Sequence, residues 1–189
     1  MPLPSLQSRV RHLDNARHCG PARSVSDILW LTMHCTASGR MQSARDVIAW
    51  MNGPIDPTGR RGPKGPVSYG YVIDRDGTIY RMTKPERVAY HAGDSAFPNP
   101  IRATRENPKP HGGASINRKS LGIAWVNDNL SERLTALQVE SALWLCHYWL
   151  GRLALPVSSC IGHNECSPGR KVDPARAMPM GDWRELLAA

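Results

Sequence analysis

From Asp27 the run Ile28 to Cys35 (ILWLTMHC) is almost unbroken in apolar character and short, which reads as a strand buried on both faces in a sheet covered by helices. After polar Thr36 and Ser38, Ser43 can cap a helix through Asn52, because Val47, Ile48 and Met51 recur at helical spacing while Arg45 lies off that stripe. Residues 53–66 (GPIDPTGRRGPKGP) hold too much Gly and Pro for either element. Residues 67–82 (VSYGYVIDRDGTIYRM) read as a hairpin, since two β-rich runs flank Asp76-Gly77, a pair suited to a tight turn with positive φ. A short strand is expected near Val88-Ala89-Tyr90. Residues 94–119 then form a long segment with Pro98, Pro100, Pro108 and Pro110, of a length that is functional or disordered in compact domains.

Residues 120–127 (SLGIAWVN) read as a second buried strand. Residues 134–153 read as the principal amphipathic helix, stopped by Gly151 and Pro156. CIGHN at 160–164 is a last short strand, SPGRKVDP is irregular, and Asp182 begins a terminal helix. Residues 1–25 are polar and basic without a sustained period, so they read as a mobile or wrapping arm, with the ordered fold starting near Asp27 and one domain over residues 26–189. The pattern is that of an α/β domain.

Composition narrows the partners. The 24 Lys and Arg against 16 Asp and Glu give +8, which favours an anionic partner: nucleic acid, a membrane surface or an acidic wall polymer. No nucleic-acid motif or aromatic-basic interleaving accompanies the charge, so no nucleic acid is expected. Cys19, Cys35, Cys146, Cys160 and Cys166 form an odd set without regular short spacing, so reduced thiols are expected rather than a disulfide framework. The first twenty residues lack an apolar h-region and no segment approaches the ~18 apolar residues of a membrane span, so the expectation is synthesis in the cytoplasm without an export signal and no membrane insertion.

His34 and His163 stand at the ends of two expected strands, and Asp173 lies in a loop ten residues beyond His163. Two imidazoles and a carboxylate are a ligand set for catalytic zinc, which keeps three protein ligands and an open fourth position for water. Isolated histidines are also often packing or surface groups. Lys171 stands two residues before Asp173, so in an extended segment both face one side, and an ammonium there suits a developing oxyanion. A solvated lysine is the alternative. Cys35 should point away from His34 into the core, and Cys166 is a rival soft ligand. His147 reads as packing or surface, Trp144 and Trp149 as core, and Arg60, Arg61 and Lys64 as a solvated basic loop.

Between residues 27 and 176 the chain resembles the zinc-dependent N-acetylmuramoyl-L-alanine amidases that share a fold with the peptidoglycan recognition proteins. The markers, in family order and spacing, are MHCTAS with His34, VSYGYVIDRDGTIYRM, AYHAGDS with His91, KSLGIAWVN, and GHNECSPGRKVDP with His163, Lys171 and Asp173. The resemblance implies a mixed central sheet flanked by helices, with a groove over Zn2+ held by His34, His163 and Asp173. It gives Lys171 a role on the scissile carbonyl or the tetrahedral intermediate and makes His91 a substrate contact. Many members carry a proton-handling glutamate after the Gly-Ile of the KSLGIAWVN marker, where this chain has Ala124. The short phage-lysozyme amidases also lack that acid, and there a hairpin tyrosine matching Tyr69 is linked to activity. Tyr69 is thus the catalytic partner the resemblance suggests, with an ordinary strand aromatic as the alternative.

The implied reaction is hydrolysis of the amide between N-acetylmuramic acid and L-alanine in peptidoglycan, by a monomer that acts on the cell wall as a phage endolysin. A cytoplasmic muropeptide-recycling amidase and a non-catalytic peptidoglycan-binding protein are the alternatives.

Overall fold

The structure, a computed structural model, describes residues 6–39, 42–93, 95 and 116–189. Its strands are β1 (Val10–His12), β2 (Cys19–Ala22), β3 (Trp30–Cys35), β4 (Tyr71–Ile73), β5 (Ile79–Arg81), β6 (Arg87–Ala89), β7 (Ser120–Trp125) and β8 (Cys160–Gly162). The helices are α1 (Ala44–Met51), the single turn α2 (Ile116–Lys119), α3 (Ala136–Leu153), the single turn α4 (His163–Cys166) and α5 (Met180–Ala188). Six strands form one mixed sheet in the order β1-β5-β4-β7-β3-β8, antiparallel only between β4 and β5. This is the mixed sheet flanked by helices that the sequence led us to expect.

The two central runs are apolar throughout because both faces of the sheet are covered. On one face Leu31, Met33 and Cys35 of β3 and Leu121, Ile123 and Trp125 of β7 pack with Leu145, Cys146 and Trp149 of α3 and with Trp183 of α5. Trp125 and Trp183 meet edge-to-face at 5.1 Å, an arrangement that adds ~0.5–1.5 kcal/mol to their burial. On the other face Val72, Tyr80 and Ala124 pack with Val47, Ile48 and Met51 of α1. His34 pairs with Ala124 in register, and paired residues share a face, so His34 belongs to this second side. Ser120 and Gly122 fall on the same side by alternation along β7.

The helix starts follow their caps. Ser43 accepts from the Asp46 backbone at the head of α1, and Thr135 pairs reciprocally with Gln138 at the head of α3. The hairpin is also as expected, though its turn is wider: Gly77 donates to the Asp74 carbonyl at 2.9 Å, and Gly77 takes φ +79°. Only Gly77 of the Asp76-Gly77 pair is left-handed among these turn residues, as in a type I turn followed by a left-handed glycine.

Several boundaries differ from expectation. Ordered structure begins well before Asp27: β1 adds to the sheet edge parallel to β5, and β2 pairs with β6 in a separate two-stranded sheet. Edge pairing uses backbone N–H and C=O groups and leaves no apolar alternation to read. Helix α3 runs through Gly151 and ends where Ala154 turns left-handed at φ +52°, with Leu155 N–H donating to the Leu150 carbonyl. The last strand stops at Gly162, so His163 opens α4, and α5 starts at Met180 with Asp182 in its first turn. Of the long segment 94–119, residues 94 and 96–115 lie outside the described residues, and 116–119 form α2. No helix among the described residues is long and apolar enough to cross a membrane.

Candidate metal centre

Strands β3 and β8 are adjacent and parallel, so their C-terminal ends open on the same edge of the sheet, where the sites of open α/β sheets lie. His34 is the fifth residue of β3 and His163 directly follows β8. The loop after α4 turns back when Asn164 N–H donates to the Asp173 carbonyl at 2.8 Å, which delivers the Asp173 carboxylate to both imidazoles. His34 Nδ1 stands 3.0 Å from His163 Nδ1, and Asp173 Oδ2 is 3.2 Å from each of these nitrogens. All three residues are buried, and they are the one group of three such side chains among the described residues whose ligand atoms converge closely enough to hold a metal ion.

His163 Nε2 lies 3.2 Å from the Ala92 carbonyl, which can only accept, so Nε2 carries the hydrogen and Nδ1 is left as a lone pair facing the centre. An ionised Asp173 is also an acceptor. Two lone pairs at 3.2 Å repel unless a positive centre lies between them, whether an added proton or a metal cation. Burial pushes His34 down to about 4, against a partial rise from Asp173, so its imidazole is neutral near pH 7. Burial alone raises the Asp173 carboxyl, and an added proton on the facing Nδ1 atoms of His163 and His34 outweighs burial and holds the group below the usual carboxylate range. The result is a buried, anionic N,N,O donor set, which fits a divalent ion of zinc's preference.

Lys171 is exposed on the loop between α4 and Asp173, and its charge is one of those that lower His34. Tyr69, in the segment before β4, sets its ring 5.2 Å from the His34 ring. Burial first and the Asp173 charge next push the Tyr69 phenol above its ordinary value, so it keeps its hydrogen and can donate. Ala124 is fully buried in the apolar cluster that includes Tyr69 and Met51. The thiols take no part: Cys35 lies in the opposite core, and burial pushes Cys166 up to about 11 while its thiol donates to the His163 carbonyl. All five cysteines are free.

His91, for which the resemblance implies a substrate contact, packs against the candidate metal centre. It is buried behind His34, with Nδ1 2.9 Å from His34 Nε2 and Nε2 3.1 Å from Ser120 Oγ, so both ring nitrogens are engaged within the protein. Burial, followed by the neighbouring His34 and His163, holds His91 well below its ordinary value. Sequence reasoning passed over Ser120, Gly122 and the Ala92 carbonyl. The signal for Ser120 and Gly122 was the run of small residues at 120, 122 and 124, alternating with large ones within an otherwise apolar strand; the Ala92 carbonyl, a backbone group, carried none.

The family model of N-acetylmuramoyl-L-alanine amidase matches residues 24–176. The chain belongs to this amidase family. It is an N-acetylmuramoyl-L-alanine amidase, a hydrolase whose substrate is peptidoglycan. Among solved structures, the amidase is similar to a selenomethionine derivative of AmpD, at 21% identity over 99% of each chain with a TM-score of 0.71. It is also similar to the catalytic domain of XlyA, at 17% identity over 94% of this chain and 98% of that one with a TM-score of 0.64. The endolysin N-acetylmuramoyl-L-alanine amidase LysCS from Clostridium intestinale shares 19% identity over 95% of each chain, with a TM-score of 0.62. Identities this low establish a shared fold. No curated protein sequence matches the amidase significantly.

Proposed function

We propose that this amidase is zinc-dependent and cuts the amide between N-acetylmuramic acid and L-alanine as a phage endolysin, working as a monomer. The observation that carries the metal reading is the convergence of His34 Nδ1, His163 Nδ1 and Asp173 Oδ2 within 3.2 Å in a buried site at the ends of two adjacent parallel strands. When bound, zinc supplies a Lewis acid that polarises a carbonyl and acidifies water. The chain's own residues then stabilise the oxygen of the attacked amide. Lys171 brings an ammonium from the exposed rim, and Tyr69 offers a phenolic hydrogen from the buried wall, both suited to developing negative charge. With its hydrogen held firmly, Tyr69 serves as a donor to the carbonyl rather than as a base.

Support for the endolysin role comes from Ala124, which replaces the acid that the short phage amidases also lack, and from the net charge of +8, which suits an anionic wall. The fuller overlap with the AmpD derivative favours a second reading, a muropeptide-recycling amidase of the AmpD kind. The test is incubation of zinc-loaded protein with intact sacculi and, separately, with soluble anhydro-muropeptides. Release of L-alanine amino termini without new reducing ends is expected, and faster on sacculi. Reducing ends alone would mean glycosidase chemistry and end the proposal; preference for the soluble fragments would replace the endolysin role by recycling.

A further inference from the structure

Behind the metal centre lies a chain of hydrogen bonds whose direction is fixed by its far end. Ser120 Oγ donates to the Ile116 carbonyl at 2.7 Å, and a serine hydroxyl has one hydrogen to give. In its 3.1 Å contact with His91 Nε2 the oxygen is therefore the acceptor, and Nε2 carries the hydrogen. A neutral imidazole has one N–H, so His91 Nδ1 is a lone pair. That lone pair stands 2.9 Å from His34 Nε2, which must donate to it. His34 is then left with a bare lone pair at Nδ1, the atom that faces His163 and Asp173.

We propose that His91 is a positioning residue that holds His34 in its Nε2–H tautomer, so that Nδ1 is presented to the metal as a ready ligand. The inference rests on the reading of His34 as a metal ligand. The relay is built with care for its geometry. The backbone N–H groups of His91 and Ala92 both donate to Asn117 Oδ1, at 3.2 and 2.9 Å. The His91 ring lies over Gly122, where a Cβ would come within 2.5 Å of His91 Cγ. Buried Arg23 donates to the carbonyls of Asn117, Arg118 and Ser120, which pins the α2–β7 junction that supplies Ile116 and Ser120. The neighbouring Ala92 carbonyl fixes the His163 tautomer in the same sense. Two consecutive residues after β6 thus orient both imidazoles of the centre, one by a side chain and one by a carbonyl. Outer hydrogen bonds of this kind fix ligand tautomer and raise ligand basicity.

The experiment uses the full chain labelled with 15N in histidine. Long-range 1H–15N spectra of metal-free protein near neutral pH read the His34 tautomer, and competition with a chromophoric chelator reads the zinc dissociation constant. The wild type is expected to hold His34 as the Nε2–H tautomer. His91→Phe should mix the tautomers and weaken zinc binding by about 10–100-fold. His91→Asn, whose Oδ1 replaces the lost acceptor, should recover most of that loss, which a merely structural role would not produce. Should His91→Phe fail to fold, Ser120→Ala, which deletes one hydroxyl, decides by the same two readouts and is expected to weaken zinc. A wild-type His34 in the Nδ1–H form, or folded His91→Phe and Ser120→Ala proteins with wild-type zinc affinity, would overturn the proposal. A wild type that binds no zinc at all would sink the metal reading, while the spectra would still decide the relay.

Discussion

Gly122→Ala is the smallest perturbation that reaches the metal centre from outside it. A Cβ at this position would lie 2.5 Å from His91 Cγ, 2.8 Å from Cδ2 and 2.9 Å from Nδ1, against a rigid ring rather than a flexible chain end. Restoring ordinary contact needs a retreat of about 1 Å, and the His91 backbone is tied to Asn117, so the ring must tilt. A shift of that size takes the 2.9 Å contact between His34 and His91 out of hydrogen-bond range. Overpacking costs about 1–3 kcal/mol. Leaving the His34 N–H buried without its acceptor costs about 1–3 kcal/mol more. The smaller unfolded-state entropy of alanine offsets about 0.4–1 kcal/mol. The net expectation is a loss of about 1–6 kcal/mol, against a typical domain stability of about 5–15 kcal/mol. Denaturant unfolding in the presence of chelator measures it, and chelator competition on the folded variant should show weakened zinc. Gly151→Ala is the control: nothing lies within 4 Å of its Cβ position in helix α3, so it should gain about 0.5–1 kcal/mol. A Gly122→Ala protein with wild-type midpoint and zinc affinity would refute the packing of His91 on β7 as the source of the relay's geometry.

Three further outcomes are expected. His34→Ala, His163→Ala and Asp173→Ala should each abolish zinc retention, read by atomic absorption after gel filtration, together with release of L-alanine amino termini. Metal-free protein should lose stability as pH falls from 6.5 to about 4, because the unfolded chain takes up a proton that buried His34 refuses until about 4. The slope is about 1.4 kcal/mol per pH unit for that one proton and about 3 kcal/mol over the window, with no contribution from this group above its unfolded value. Denaturant midpoints measured against pH should follow it, and a flat profile there would contradict the burial of a neutral imidazole. Lys171→Ala should keep its zinc and lose about 10²–10³ in kcat, and Tyr69→Phe should keep its zinc with a smaller loss; a Lys171→Ala enzyme of full activity would remove that ammonium from the reaction.

What the chain discloses before folding depends on whether a feature is local. Strands β3 and β7 are apolar on both faces, and such runs announce themselves. The Ser43 cap and the Gly77 turn are equally local. Strands β1 and β2 were unreadable because their pairing is made by backbone groups that every residue carries. At the site, His163, Lys171 and Asp173 stand within one short block, but the meeting of His34 with His163 spans 129 positions and depends on β3 lying beside β8. The least readable feature is the use of His91. Its HAG setting suggests a substrate contact, whereas its partners His34 and Ser120 come from two other elements, and only the fold shows that both ring nitrogens are already engaged.

Ala124 sharpens the division of labour at this centre. It pairs in register with His34 and Val72 and lies fully buried among apolar neighbours, so no carboxylate stands beside His34 along β7. The Nε2–H of His91 is committed to Ser120 and that of His163 to the Ala92 carbonyl, so neither ring has a nitrogen free to take a proton from water. The Asp173 Oδ2 atom faces the two Nδ1 atoms of the centre at 3.2 Å, which commits it to them. In the proposed mechanism the groups beside the three candidate ligands, among the described residues, are donors: the Tyr69 phenol from the wall and the Lys171 ammonium from the exposed loop. Under that proposal these two donors act on the oxygen of the amide. The rate should accordingly depend more steeply on Lys171 and on the lone pair at His34 Nδ1 than on any ionisable side chain acting as a base.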